Sequence, residues 1–163
     1  MPQEATGKTG LPSPRRNKPE RPRDELGRPQ PWGAANSLQM PDFDGHSLME
    51  NHELGRGYVR EGRYFPAHEA WETAWKQARG TGDAEFLKGL SQMGAGYVHL
   101  LRGNAHGAVT LLSRAARRVG GYPDGHLGVP TRALAARLEA DVAAIESGVL
   151  VPGDGAAFAP PSV

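Results

Sequence analysis

Residues Tyr64 to Ala78 read YFPAHEAWETAWKQA and put an imidazole and two carboxylates, His68, Glu69 and Glu72, within five positions. On a helix, side chains three or four apart share a face with Cβ atoms about 5–6 Å apart, so His68 and Glu72 can share a proton or a metal ion. The pattern departs from the zinc-protease helix H-E-x-x-H because Glu72 stands where the second histidine would be. It also reverses the Glu-x-x-His order of bundle di-iron sites, and it occurs once. Three readings follow. In the first, a divalent ion (zinc, manganese or iron) is held with an open position for water. The second makes the chain a metal-dependent hydrolase-like enzyme, with His68, Glu72 and His99 as ligands and Glu69 as general base. In the third the cluster is structural, bonding main-chain N–H groups where Gly103 and Asn104 join two helices and so fixing helix register.

The elements that position these residues are helical throughout. Ser47 with Glu50 has capping-box form and opens a first helix, which Gly55 and Gly57 weaken and Gly62 ends. Pro66 suits the first turn of a second helix over about Pro66 to Ala78. Asp83 is a suitable N-cap for a third, about Ala84 to Arg102, in which Phe86, Leu90, Met93, Tyr97 and Leu100 make one apolar face. Gly103 ends it and Asn104 caps a fourth, with Ala108, Leu111, Leu112, Ala115 and Val119 inward and Arg114, Arg117 and Arg118 outward. Thr131 caps a last helix carrying Leu134, Leu138, Val142 and Ile145. Short connections between long helices make neighbours antiparallel, which predicts an all-α, up-and-down bundle of four to five helices.

An antiparallel third helix sets Glu72 near Leu90 and His68 near Gly94. Its second stripe, Gly89, Gln92, Gly96, His99 and Gly103, combines close-packing glycines with polar groups. His68, Glu69, Glu72, Gln92, His99 and Asn104 are therefore expected to form one polar inter-helix site. Trp71 and Trp75, with Tyr58, Tyr64 and Phe65 nearby, could line a ligand pocket, although such aromatics are more often core, and His46, His52, His106 and His126 are expected at the surface.

The chain of 163 residues has no cysteine, which excludes disulfides, a thiol nucleophile and thiolate zinc sites. A net charge of +1 gives no field that would favour nucleic acid, and no nucleic-acid partner is expected. No apolar run approaches bilayer length and no secretion-type h-region is present, so a soluble cytoplasmic protein with no membrane partner is expected. Eight of the fourteen prolines lie at or before Pro41. That composition predicts a disordered Pro/Arg-rich tail over residues 1–40, a helical domain over 41–148 and a flexible C-terminal tail over 149–163.

The stretches YFPAHEAWETAW, FLKGLSQMGAGYVHLLRGN and GAVTLL together resemble the small all-helical family known as domain of unknown function 309, over about Leu54 to Val119. The resemblance implies a compact helical bundle whose polar motif residues correspond to His68, Glu69, Glu72, Gln92, His99, Gly103 and Asn104. Pro66 stands where the family commonly has an acidic residue, and Trp71 where an aliphatic one is frequent. The family brings no activity with it. The reading from sequence is a non-enzymatic binding or interaction module for a small molecule or protein, with the metal-dependent enzyme as its alternative and self-association left open.

Overall fold

The computed structural model describes residues 20–163. Among the described residues five α-helices run in chain order: α1 Leu48–Arg60, α2 Tyr64–Gln77, α3 Ala84–Leu101, α4 Ala105–Gly120 and α5 Thr131–Glu146. Short 3-10 turns at Phe43–Gly45 and His126–Gly128 precede α1 and α5, and no strand occurs among the described residues. Each helix packs chiefly on its neighbours in sequence, which is the expected up-and-down bundle. No helix among the described residues is long and apolar enough to cross a membrane.

The helix starts show local sequence at work. Ser47 accepts from the Glu50 N–H while Glu50 accepts from the Ser47 N–H, a complete capping box. Asn104 accepts from Gly107 N–H, and Gly103 adopts φ +84°, as a helix stop requires. Helix α2 begins at Tyr64, two residues earlier than expected, with Pro66 inside its first turn. Two expected caps are replaced by longer-range partners. The Asp83 carboxylate bonds His126 Nε2 at 2.8 Å instead of its own helix, and the Tyr122 hydroxyl accepts from Phe86 N–H. Thr131 lies one residue inside α5 and donates to the Tyr122 and Pro123 carbonyls, while Asp124 accepts from Arg132 N–H.

The core is the stripe expected on α3, with Phe86, Leu90, Met93, Tyr97 and Leu100 all fully buried, joined by Trp71 and by Leu112, Val119, Leu134 and Leu138. Glycines bring the helices close. A Cβ on Gly96 would sit 2.8 Å from the Leu112 side chain of α4, and one on Gly94 would sit 2.9 Å from the His68 main-chain nitrogen of α2. A Cβ on Gly55 would meet the Trp71 indole at 2.5 Å, so this glycine in α1 is a packing site for the tryptophan rather than a weak point. His52, expected at the surface, is fully buried: its Nδ1 accepts from Trp71 Nε1 and its Nε2 donates to the Leu127 carbonyl.

Both flanking segments lie on the bundle where the structure describes them. Residues 20–39 close on themselves through Gln30 N–H to Pro22 O and Leu38 N–H to Arg23 O, with Leu38 buried. Gly27, at φ +74°, lies so close to the Phe65 ring that a Cβ there would overlap it. The first part of the expected N-terminal tail, residues 1–19, lies outside the described residues. At the other end Phe158 stacks against the neighbouring rings of Tyr64 and Tyr97, with centroids 5.7 and 5.3 Å away, and Val163 is buried. These segments, expected from composition to be tails without a core of their own, pack where described against the core of the helices.

Candidate functional site

His68 lies on the face of α2 that meets α3, opposite Ser91 and Gly94, close to the register expected from antiparallel packing. Its Nδ1 is 2.9 Å from both the main-chain oxygen and the hydroxyl of Ser91, and that hydroxyl donates to the His68 carbonyl at 3.2 Å. Nδ1 donating to a carbonyl selects the tautomer in which Nε2 carries the lone pair. That second nitrogen faces two carboxylates, Glu72 Oε2 at 3.5 Å and Glu69 Oε1 at 3.8 Å. Both separations are too long for hydrogen bonds. One ligand atom from each of His68, Glu69 and Glu72 falls within 4.8 Å of the others.

The cluster is half open. The side chains of His68, Glu69 and Glu72 retain 25%, 36% and 33% of their exposure, enough for an ion or small ligand to reach them. The other Glu72 oxygen pairs with Lys76 Nζ at 3.0 Å, one turn along α2. None of the three satisfies the main-chain groups at the α3–α4 junction. There Gly103 N–H goes to Leu100 O and Asn104 N–H to His99 O.

The remaining motif residues do a different job. His99 Nδ1 is 3.0 Å from Asn104 Nδ2, so the amide donates to the ring, while the Asn104 oxygen caps α4. The Gly107 main chain packs under the His99 ring, where a Cβ would be 2.9 Å away. His99, Gly103 and Asn104 thus form the corner between α3 and α4, and His99 is outside the group that brings its ligand atoms together. Its imidazole titrates below the ordinary histidine range, first because it is partly desolvated and then because Arg102 and His68 are near. Gln92 projects from α3 between Gly89 and Gly96, which pack on α4, and its Oε1 is buried without a hydrogen-bond partner.

Ser91 escaped the reading of the sequence. Its signal was faint: a hydroxyl three residues before Gly94, on the stripe that closes on α2. The structure therefore divides the motif in two, with His68, Glu69, Glu72 and Ser91 at the α2–α3 contact and His99, Gly103 and Asn104 at the corner.

Among curated proteins and among solved structures, none matches the chain. A family model described as "Domain of unknown function (DUF309)" matches residues 53–111, from within α1 to within α4, and so takes in both halves of the motif. Over residues 53–111 the chain is similar to the DUF309 family.

Proposed function

We propose that the chain is a non-enzymatic binding module whose His68, Glu69 and Glu72 hold a divalent transition-metal ion. The observation that carries this reading is the fixed imidazole: Ser91 occupies Nδ1, and Nε2 is left facing two carboxylates at 3.5 and 3.8 Å. Metal-bound histidines commonly donate their other ring N–H to a carbonyl or carboxylate in this way. Ligands at about 2.0–2.1 Å from a tetrahedral zinc stand roughly 3.3 Å from one another, so the cluster needs only small side-chain adjustments to close on an ion. One nitrogen and two oxygens suit zinc, manganese or iron, and the general affinity order ranks zinc above the other two.

A purely structural cluster is less well supported, because Glu69 and Glu72 are partly exposed and bond no main-chain group of a neighbouring helix. The hydrolase alternative loses its division of labour, since Glu69 joins the ligand group that His99 was expected to complete. Protein purified without chelator or affinity histidines, then dialysed against zinc, manganese or iron(II), should retain about one ion per chain. His68→Ala should abolish retention. Wild type that retains none of the three ions would sink the proposal.

A further inference from the structure

A cavity of about 500 Å³ opens where residues 20–40 cross the N-terminal half of α2. Its size falls in the range of small-molecule sites, about 300–1,000 Å³. Phe65 and the buried Leu38 supply an apolar wall. Facing them are two arginines, each held by one main-chain bond: Arg21 Nε donates to the Gln30 carbonyl at 2.7 Å, and Arg23 Nη1 donates to the Gly27 carbonyl at 2.8 Å. Neither guanidinium has a carboxylate within ion-pair distance among the described residues. Asn36 also borders the cavity; its oxygen accepts from Arg23 N–H, which turns the remaining amide N–H groups toward other partners. Such a set of preset donors beside an apolar wall recognises an anionic head group on an apolar body.

Two carboxylates on the same cavity, Glu20 and Glu69, oppose an anion. Glu69 is also one of the three groups of the α2 cluster. A divalent ion there would neutralise its charge and reverse the local field, so ion and anion would favour each other's binding, as linkage requires. We propose that this cavity binds a small organic anion, a carboxylate or phosphate monoester with an apolar body, and that occupancy of the His68–Glu69–Glu72 cluster strengthens that binding. The coupling rests on the cation reading given above, while the anion site rests on the cavity itself.

The test titrates phenyl phosphate and benzoate calorimetrically into full-length protein at low ionic strength, both metal-free and zinc-loaded. One of the two probes should bind the zinc-loaded protein at one per chain, about tenfold more tightly than the metal-free form. Arg21→Ala and Arg23→Ala should each weaken that binding about tenfold, the scale of a lost charge-assisted hydrogen bond. Arg21 is the safer variant for folding, because its single bond is exposed while that of Arg23 is partly buried. Failure of both probes to bind zinc-loaded wild type, equal affinity with and without zinc, or unchanged affinity in both arginine variants overturns the proposal. If zinc does not load, the cation reading fails alone and Glu69→Gln decides the cavity: tighter binding than metal-free wild type supports the anion site, and unchanged or absent binding sinks it.

Discussion

Ser91 holds the imidazole of His68 from one side while Glu72 faces it from the other, so that one nitrogen bonds α3 and the second is presented to a carboxylate of α2. The inter-helix bond and the candidate ligand are the same ring. Loss of the ring should therefore cost both stability and ion retention, whereas loss of a carboxylate should cost ion retention mainly. Glu72→Gln is expected to weaken zinc binding at least tenfold, in line with the charge and ligand removed. Its urea midpoint should stay close to that of wild type, since the group is a third exposed and its Lys76 pair is a surface one. A large fall in the midpoint with zinc binding intact would restore the structural reading.

Lys76 competes for Glu72. An ammonium 3.0 Å from Oε1 holds the carboxylate toward solvent and repels an approaching cation. Lys76→Met should raise zinc affinity several-fold and change stability by no more than about 0.5 kcal/mol, the usual worth of an exposed helical pair. Zinc titration and chemical unfolding of the same preparation check both halves, and weaker zinc binding would place the ion away from Glu72.

Helix count, the α3 core stripe, the capping box at Ser47 and the corner at Gly103 and Asn104 were legible because each depends on spacing along one element. The His68–Glu72 pair was legible for the same reason. What the sequence hid depends on partners distant in the chain. Asp83 looks like a cap until His126, forty-three residues later, takes its carboxylate. His52 looks like a surface residue until Trp71 and Leu127 enclose it. Phe158 stands in a segment too rich in glycine and proline to fold alone, and only the Tyr64–Tyr97 pair explains its place. His99 was assigned to the ligands because it shares a stripe with Gln92, although Asn104, five residues on, is its partner.

Two glycines of α3 separate packing from function. An added methyl at Gly96 meets the Leu112 side chain, while one at Gly94 meets the main chain of His68 itself. Gly96→Ala should destabilise by about 1–3 kcal/mol through overpacking and leave zinc affinity unchanged. Gly94→Ala should destabilise comparably and also weaken zinc binding, because α2 must move relative to Ser91. Equal zinc affinity in the two variants would show that the helix contact does not set the imidazole.

The C-terminal segment is expected to contribute to stability. Phe158 stacks against the Tyr64 and Tyr97 rings, and Arg56 donates to the main-chain oxygen of Val163 at 3.2 Å. Phe158→Ala should destabilise by roughly 1–3 kcal/mol, an aromatic contact plus part of a buried ring. A melting temperature unaffected by this change would return residues 149–163 to the status of a free tail.

Acid should loosen the bundle through His52. Its Nδ1 accepts from Trp71 Nε1 and its Nε2 donates to Leu127, an arrangement that exists only for the neutral ring. Burial holds its pKa below the ordinary 6.5, with the nearby Arg56 and His126 acting in the same direction and the Leu127 bond and Glu53 opposing. The unfolded chain therefore binds a proton that the folded one refuses. The stability associated with the neutral ring is present in full above the unfolded value and is lost as pH falls from there through the depressed folded value. His52→Gln keeps one acceptor and one donor without a titrating group. Wild type should lose stability between about pH 7 and pH 5 more steeply than His52→Gln, even if the variant starts lower at pH 8. Parallel slopes of unfolding free energy against pH would assign the acid sensitivity to other groups and leave His52 a neutral tie between Trp71 and the loop before α5.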